Sequence, residues 1–162
     1  MKLLFSILFV SMVLFSPSLS KVRKDYVNAV NNKEATVELN RELAEIDKSD
    51  DKILVAYKGA VLTLMAKFAK TTKERKSFFK EGVLLIDYAV SEKPKNVEIR
   101  CVRLGVQENS PKITGYRKNK EEDKNFILTH YKEIASKDVK SFVKGFVMQS
   151  KMFSEEEKML VN

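Results

Sequence analysis

The chain has 162 residues, of which 44% are apolar and 32% are charged, so it can bury a sizeable core and is not a disordered polypeptide. Five glycines and three prolines are too few for a turn-rich all-β protein, and the single cysteine, Cys101, excludes an internal disulfide and a cysteine-based metal site. The net charge of +8 is spread along the sequence, which is typical of solvated helix faces or of a protein attracted to polyanions.

The first twenty residues have the pattern of a secretory signal peptide. Lys2 precedes an almost wholly apolar run over residues 3–15, and Ser18 and Ser20 form a small-x-small cleavage site. The run is shorter than the roughly 20 residues that span a bilayer, although an uncleaved N-terminal anchor is the alternative. We therefore expect an exported protein, periplasmic or secreted, with no transmembrane span after cleavage: residues 1–20 are the signal peptide and residues 21–162 a single all-helical domain.

The rest of the chain repeats apolar residues at helical spacing and shows no sustained two-residue alternation. This pattern predicts about seven helices with short connections, mostly antiparallel to their neighbours, stacked as helical hairpins. The predicted helices cover residues 22–31, 33–47, 51–70 and 73–92, a helix from residue 97 to a break at residues 109–115, a helix over about 121–131, one from Ser136 to about Lys151, and a short last helix after Ser154.

Several helix ends are marked by local signals. Pro94 ends the fourth helix, because the residue before a proline disfavours the helical conformation. Three pairs of residues have the spacing of a capping box. In this motif the side chain of the first residue accepts a hydrogen bond from the backbone amide of the acidic residue, whose carboxylate accepts one from the backbone amide of the first. The three pairs are Asn31 with Glu34, Thr71 with Glu74, and Ser154 with Glu157.

The helix over residues 51–70 is the most apolar. A second stripe of apolar residues widens the first, so few polar positions remain on this helix. We therefore expect other helices to contact it on several sides. Gly59, followed by Ala60, is placed to permit a close approach of a neighbouring helix. The stripes comprise Ile53, Tyr57, Ala60, Leu64 and Phe68, widened by Leu54, Val61 and Met65.

The chain is organised around residues 94–128. Arg100, Arg103 and Gln107 share one polar stripe of the helix that follows Pro94. We predict that the Arg100 guanidinium meets Asp123 or Glu122 of the next helix, because a planar fork suits a carboxylate. Tyr116 and Asn109 would then tie down the connecting loop. The alternative is two solvated stripes that never meet.

Residues 82–96 resemble the second helix and exit turn of a tetratricopeptide-type repeat. Ala89, Pro94 and Asn96 have the spacing of that repeat, and Gly82 is a small residue where the repeat has one. The preceding helix lacks the Trp-x-x-Leu-Gly-x-x-Tyr signature and the helices exceed the standard length. The resemblance implies an all-α fold, either a tetratricopeptide-like α-solenoid or a compact bundle, preceded by the signal-peptide helix.

A longer stretch, residues 52–128, is similar to a group of small exported bacterial helical proteins. The resemblance implies a fold and an export route, and no activity. The shared pattern is Y-K-G-A at 57–60, P-x-N-x-E-I-R at 94–100, L-G-V-Q-E-N-S-P at 104–111, G-Y at 115–116 and E-E-D-K at 121–124.

No motif for nucleophilic, metal-dependent or nucleotide-dependent catalysis occurs in the sequence. His130, the only histidine, has Asp123 seven residues before it, and Glu121, Glu122 and Asp123 are candidate paired carboxylates for acid–base chemistry. Helix-start charges and a surface histidine are the simpler interpretation. A basic and aromatic cluster precedes these acids, which offset its charge: Lys112, Tyr116, Arg117, Lys118 and Lys120.

These observations favour an exported helical-repeat protein that acts as a protein- or peptide-interaction or scaffold module in the cell envelope. One alternative is a binder of anionic surfaces or polymers through a basic face, and export argues against nucleic acid as the partner. The other is an unrecognised enzyme using Glu121, Asp123 and His130. We expect no catalytic, cofactor or metal site; the possible structural or interaction residues are Arg100, Arg103, Gln107, Asn109, Tyr116 and Asp123.

Overall fold

A computed structural model describes residues 17–162 and contains α-helices, two short 3-10 helices and no strand within that range. The predicted all-α class is confirmed, with eight α-helices in residues 17–162 where about seven were predicted, and the expected signal peptide lies almost wholly outside the described residues. The α-helices are α1 (Leu19–Ala29), α2 (Lys33–Glu42), α3 (Lys52–Phe68), α4 (Thr72–Glu92), α5 (Val97–Asn109), α6 (Lys120–His130), α7 (Lys137–Gln149) and α8 (Glu155–Met159), and the 3-10 helices are Lys112–Thr114 and Tyr131–Glu133.

The helix starts follow the sequence signals closely. Both capping boxes at Thr71 and Ser154 form, and Ser136 caps α7 as predicted. The cap of α2 is Asn32 and not Asn31, because the Asn32 side chain is the one that accepts the hydrogen bond from the Ala35 amide.

Helix α2 is shorter than its apolar pattern predicts, since it ends at Glu42 and not near residue 47. Leu43 and Ile46 are both buried after the helix has ended, so the chain turns to seat both side chains. The Lys58 ammonium donates to the carbonyls of Ala44 and Ile46, which this early end leaves without helical partners.

Helices α3 and α4 form a closely packed antiparallel hairpin. A Cβ added at Gly59 would lie 2.5 Å from the Gly82 carbonyl oxygen, and one added at Gly82 would lie 2.5 Å from the Gly59 carbonyl oxygen. The two backbones therefore touch at a point where no side chain fits. The prediction that Gly59 permits a close helix approach is confirmed, and α3 is buried on several sides as expected.

Helix α5 is shared by two clusters of buried apolar side chains. Ile99, Val102 and Val106 belong to the cluster built from α1 to α4, whereas Cys101 and Leu104 belong to the cluster built with α6, α7 and the C-terminal residues. Contacts with α3, α4, α6 and α7 surround α5. Any polar side chain on α5 must therefore find its partner inside the protein.

The connections gather at two ends of the helices. At one end, Tyr116 of the α5–α6 connection packs on Phe79 of α4, and Lys67 at the end of α3 reaches the α1–α2 turn at the Val30 carbonyl. At the other end, the α4–α5 turn and the α6–α7 connection line one shallow pocket of about 350 Å³, which includes Asn96 and Ala135.

Candidate functional site

The predicted contact between α5 and α6 is present as a group of four charges, three of them buried and Glu122 about half exposed, which we call the α5–α6 ionic cluster. It consists of Arg100 and Arg103 on α5 and of Glu122 and Asp123 on α6. Arg103 donates from Nε to Asp123 Oδ2 and from Nη2 to Asp123 Oδ1, both at 2.7 Å. Arg100 donates from Nη1 to Asp123 Oδ1 at 2.9 Å and also to Glu122. Two guanidinium groups thus converge on one carboxylate.

Asp123 is 0% exposed, and its charge is balanced by the two arginines around it. Burial works against the charge on Arg103, but the hydrogen bonds and attraction of Asp123 outweigh burial and raise the Arg103 pKa. Hydrogen bonds from Arg100 and then Asn119 lower the pKa of the Glu122 carboxyl. Two positive and two negative groups cancel, so the α5–α6 ionic cluster keeps no net charge with which to hold a ligand.

Sequence reasoning missed a second buried group, the Glu98 cluster, formed by Arg23, Tyr57 and Glu98. Arg23 donates to both Glu98 oxygens, at 2.6 and 2.9 Å, and the Tyr57 hydroxyl donates to Glu98 Oε1 at 2.9 Å. Glu98 is only 2% exposed. A sequence signal existed, since Glu98 stands three residues before Cys101 on the apolar side of α5, where a buried carboxylate needs a partner.

The pKa shifts in the Glu98 cluster stabilise one protonation pattern. Hydrogen bonding to Glu98 raises the pKa of Arg23. Burial, followed by the charge of Glu98 and its hydrogen bond, raises the pKa of the Tyr57 hydroxyl well above its ordinary value. Tyr57 therefore stays protonated and serves as a donor, which makes this group a structural tie between α1, α3 and α5.

The other predicted site residues are placed separately. Tyr116 ties its loop to α4, because its hydroxyl donates to Asp87 Oδ1 at 2.7 Å. Asn109 does not tie the loop, since its side chain donates to the Gly105 carbonyl one turn back in its own helix. Gln107 is 1% exposed, and its Oε1 atom has no hydrogen-bond partner among the described residues.

The three residues of the enzyme hypothesis are not brought together. Both oxygens of Asp123 are occupied by arginines, Glu121 pairs with Lys124 at 3.4 Å, and His130 Nδ1 lies 2.9 Å from the Phe126 carbonyl oxygen. Within residues 17–162 no hydrogen bond or ion pair links His130 to either acid. This geometry gives acid–base chemistry no assembled set of groups.

Cys101 is buried, and burial raises the pKa of its thiol well above the ordinary value, with the nearby charges of Glu98 and Asp123 adding to the shift. A protonated, buried thiol is neither a nucleophile nor a metal ligand. In the part of the chain that is described, no group of three or more His, Cys, Asp or Glu side chains converges to hold a metal ion. No helix of that part has the length and apolar character needed to cross a membrane.

A group of unpaired cations lies at one end of the molecule, which we call the basic end. Its side chains are exposed, and none of them forms an ion pair with another residue of the described range. Glu74 is the single acid in residues 67–80 and 110–119, and it caps Thr71 at the start of α4. The basic end consists of Lys67, Lys70, Lys73, Arg75, Lys76 and Lys80 at the α3–α4 corner, with Lys112 and Lys118 in the α5–α6 connection.

Two features of the fold create the basic end from a basic excess that looks spread in the sequence. The Tyr116–Phe79 contact, with ring centroids 6.1 Å apart, brings the α5–α6 connection beside the start of α4. The acids that were expected to offset the positive charge of that connection are themselves paired, Glu122 and Asp123 with arginines and Glu121 with Lys124. The cations of the connection therefore keep their effect on solvent-borne anions.

Comparison with family models, with curated proteins and with solved structures finds no match to this chain. The resemblance to tetratricopeptide-type repeats and to small exported bacterial proteins therefore remains an expectation from the sequence.

Proposed function

We propose that this chain is a non-catalytic binding module, exported from the cytoplasm, whose basic end docks on an anionic surface or polymer. The observation that carries the proposal is the separation of charges. The buried charged residues Glu98, Arg100, Arg103 and Asp123 all form ion pairs, whereas the eight cations of the basic end are exposed and form none in the described chain. Clustered unpaired cations raise the local concentration of anionic partners and speed their association.

The test compares two double charge reversals that change the net charge equally. Lys73→Glu with Lys76→Glu lies at the basic end, and Lys132→Glu with Lys137→Glu lies near the opposite end. All four lysine side chains are exposed in the folded chain. We expect the unmodified protein to be retained on immobilised heparin and released by salt, because exposed charges are screened. The basic-end variant should elute at clearly lower salt than the opposite-end variant.

Equal elution of the two variants would contradict the proposal, because net charge alone would then explain retention. Failure of the unmodified protein to bind both heparin and anionic vesicles at low salt would also contradict it. Export is checked by the intact mass of the purified protein, which should correspond to a chain that begins near Lys21. That cleavage removes Ser18, whose side chain caps α1 by accepting from the Lys21 amide.

A second candidate is the interaction or scaffold module of tetratricopeptide-like type, with a protein or peptide partner in the cell envelope. The close α3–α4 hairpin favours it, because small residues at such a crossing are what stacked helical hairpins require. Val27 and Val37 are exposed apolar side chains on α1 and α2 that a partner could cover. An envelope protein that binds the unmodified protein and the basic-end variant equally well would support this second candidate.

A further inference from the structure

Ile113 stands apart from every other large apolar side chain of residues 17–162 in its exposure. It is 96% exposed, and the next most exposed, Met159, is 65% exposed. Single exposed apolar residues are common on protein surfaces. Ile113 differs because nearly all of the side chain is in water and because the turn that carries it is structured.

The turn is held from both sides. Thr114 donates from both its amide and its hydroxyl to the Pro111 carbonyl, and Gly115 takes the left-handed conformation with φ of 67° that favours glycine. Tyr116 then fixes the loop to α4 through its hydrogen bond to Asp87. The 3-10 turn thus presents Ile113 at its tip without needing to reorganise.

The apolar side chain of Ile113 lies between lysines in the sequence. Lys112 precedes it, Lys118 follows on the same connection, and both belong to the basic end. A soluble polyanion offers only negative charge to such a surface. A lipid surface offers anionic headgroups to the lysines and, a few ångströms deeper, acyl chains to the isoleucine.

We propose that the anionic partner of the basic end is a lipid membrane, and that Ile113 inserts among the acyl chains while the surrounding lysines bind headgroup phosphates. The inference rests on the proposed function and names the partner class of the same surface. Electrostatic attraction brings the basic end to the surface, and burial of the apolar tip then fixes its orientation. The fold stays intact throughout, because neither Ile113 nor the lysines take part in its core.

The chain contains no tryptophan, so Ile113→Trp introduces a single fluorescent reporter at the tip. With vesicles of phosphatidylglycerol and phosphatidylcholine in equal parts, its emission should shift to the blue and become protected from an aqueous quencher. Phosphatidylcholine vesicles alone and heparin should cause neither change. Ala135→Trp, at the exposed α6–α7 connection near the opposite end, is the matched control and should stay accessible to the quencher.

Affinity supplies an independent readout. Ile113→Asp should weaken binding to the mixed vesicles by about tenfold or more, from loss of the buried side chain and the added negative charge. Its retention on heparin should change only slightly. Ala135→Asp carries the same added charge far from the tip and should bind vesicles nearly as the unmodified protein does. All variants share one N-terminus, so any contribution of residues 1–20 is common to them.

The possible failures are distinguishable. Heparin binding without a blue shift of the Ile113→Trp reporter, or equal vesicle affinity of Ile113→Asp and Ala135→Asp, overturns the membrane inference and leaves the basic end as a site for soluble polyanions. Absence of binding to both heparin and anionic vesicles overturns the proposed function and the membrane inference together.

Discussion

Helices α4 and α5 are neighbours that are both rich in charged residues, and they place those residues in opposite environments. Helix α5 is surrounded by four other helices, and its Glu98, Arg100 and Arg103 are buried against partners of opposite charge. Residues 72–77 at the start of α4 have exposed side chains, and the cations among them form no ion pair in the described chain. The same residue types therefore hold the fold together in α5 and remain available to a partner in α4.

The difference shows why net charge is a poor guide to function. A buried ion must be neutralised nearby because desolvation is costly, so the charges of α5 cancel within their own clusters. An exposed lysine remains solvated and needs no partner, so the charges of α4 add up. The unpaired remainder, and not the total of +8, determines which surface can attract an anion.

The largest expected effect comes from breaking the α5–α6 ionic cluster. Asp123→Asn removes the buried carboxylate to which both arginines donate and leaves only the half-exposed Glu122 to balance two buried guanidinium groups. Removing one partner of a buried ion pair typically costs about 3–5 kcal/mol. We expect a loss of this size in the free energy of unfolding, measured by urea denaturation followed by far-ultraviolet circular dichroism.

The matched control is Glu121→Gln, two residues earlier in the same helix turn, where the side chain is exposed and where its partner Lys124 keeps a second ion pair with Glu157. Exposed pairs contribute about 0–1 kcal/mol, so this variant should unfold near the urea midpoint of the unmodified protein. If both variants unfolded at similar urea concentrations, the α5–α6 ionic cluster would not hold the two helices together.

The contact between α5 and α6 could be predicted because the arginines lie close together in the sequence and so do the acids that they meet. Arg100 and Arg103 are one turn apart on α5, and the acids that receive them stand in the first turn of α6, where the helix dipole also favours them. A connection of ten residues between the helices limits how far apart these groups can lie. The prediction thus needed no knowledge of the global arrangement.

The Glu98 cluster and the basic end could not be predicted in the same way. Arg23 lies 75 residues from Glu98, and nothing in the sequence says that α1 packs beside the start of α5. The basic end likewise depends on the α3–α4 corner and the α5–α6 connection lying at the same end, which Tyr116 and Phe79 establish by contact. Local patterns specify helices and their caps, whereas these groupings follow from tertiary packing.

A smaller effect is expected where α4 crosses α3. Gly82→Ala would place a methyl group 2.5 Å from the Gly59 carbonyl oxygen and 2.8 Å from Thr63 Cγ2. The backbone oxygen cannot move aside without shifting α3, and overpacking of this kind costs about 1–3 kcal/mol. The expected result is a loss of that size in the urea-derived free energy of unfolding.

Gly145→Ala is the control for Gly82→Ala because it makes the same change inside a helix where nothing lies within 4 Å of the added methyl group. Alanine is a better helix former than glycine, so this variant should gain about 0.5–1 kcal/mol. Opposite signs for the two variants would locate the close helix crossing at Gly82. Equal gains would mean that α3 and α4 lie further apart than the structure places them.

The smallest expected effect concerns the exposed edge of the α5–α6 ionic cluster and depends on pH. Hydrogen bonds from Arg100 and Asn119 hold the Glu122 pKa below its ordinary value of 4.5, so its stabilising contribution is fully present above that pH. As the pH falls through the lower pKa of the folded state, Glu122 takes up a proton and this contribution is lost. Because Glu122 is about half exposed, the contribution should be under about 1 kcal/mol. Urea midpoints of the unmodified protein and of Glu122→Gln should therefore differ at about pH 6 and converge towards about pH 3. A difference in midpoint that stays constant over this pH range would instead assign the loss of stability to packing and not to the charge of Glu122.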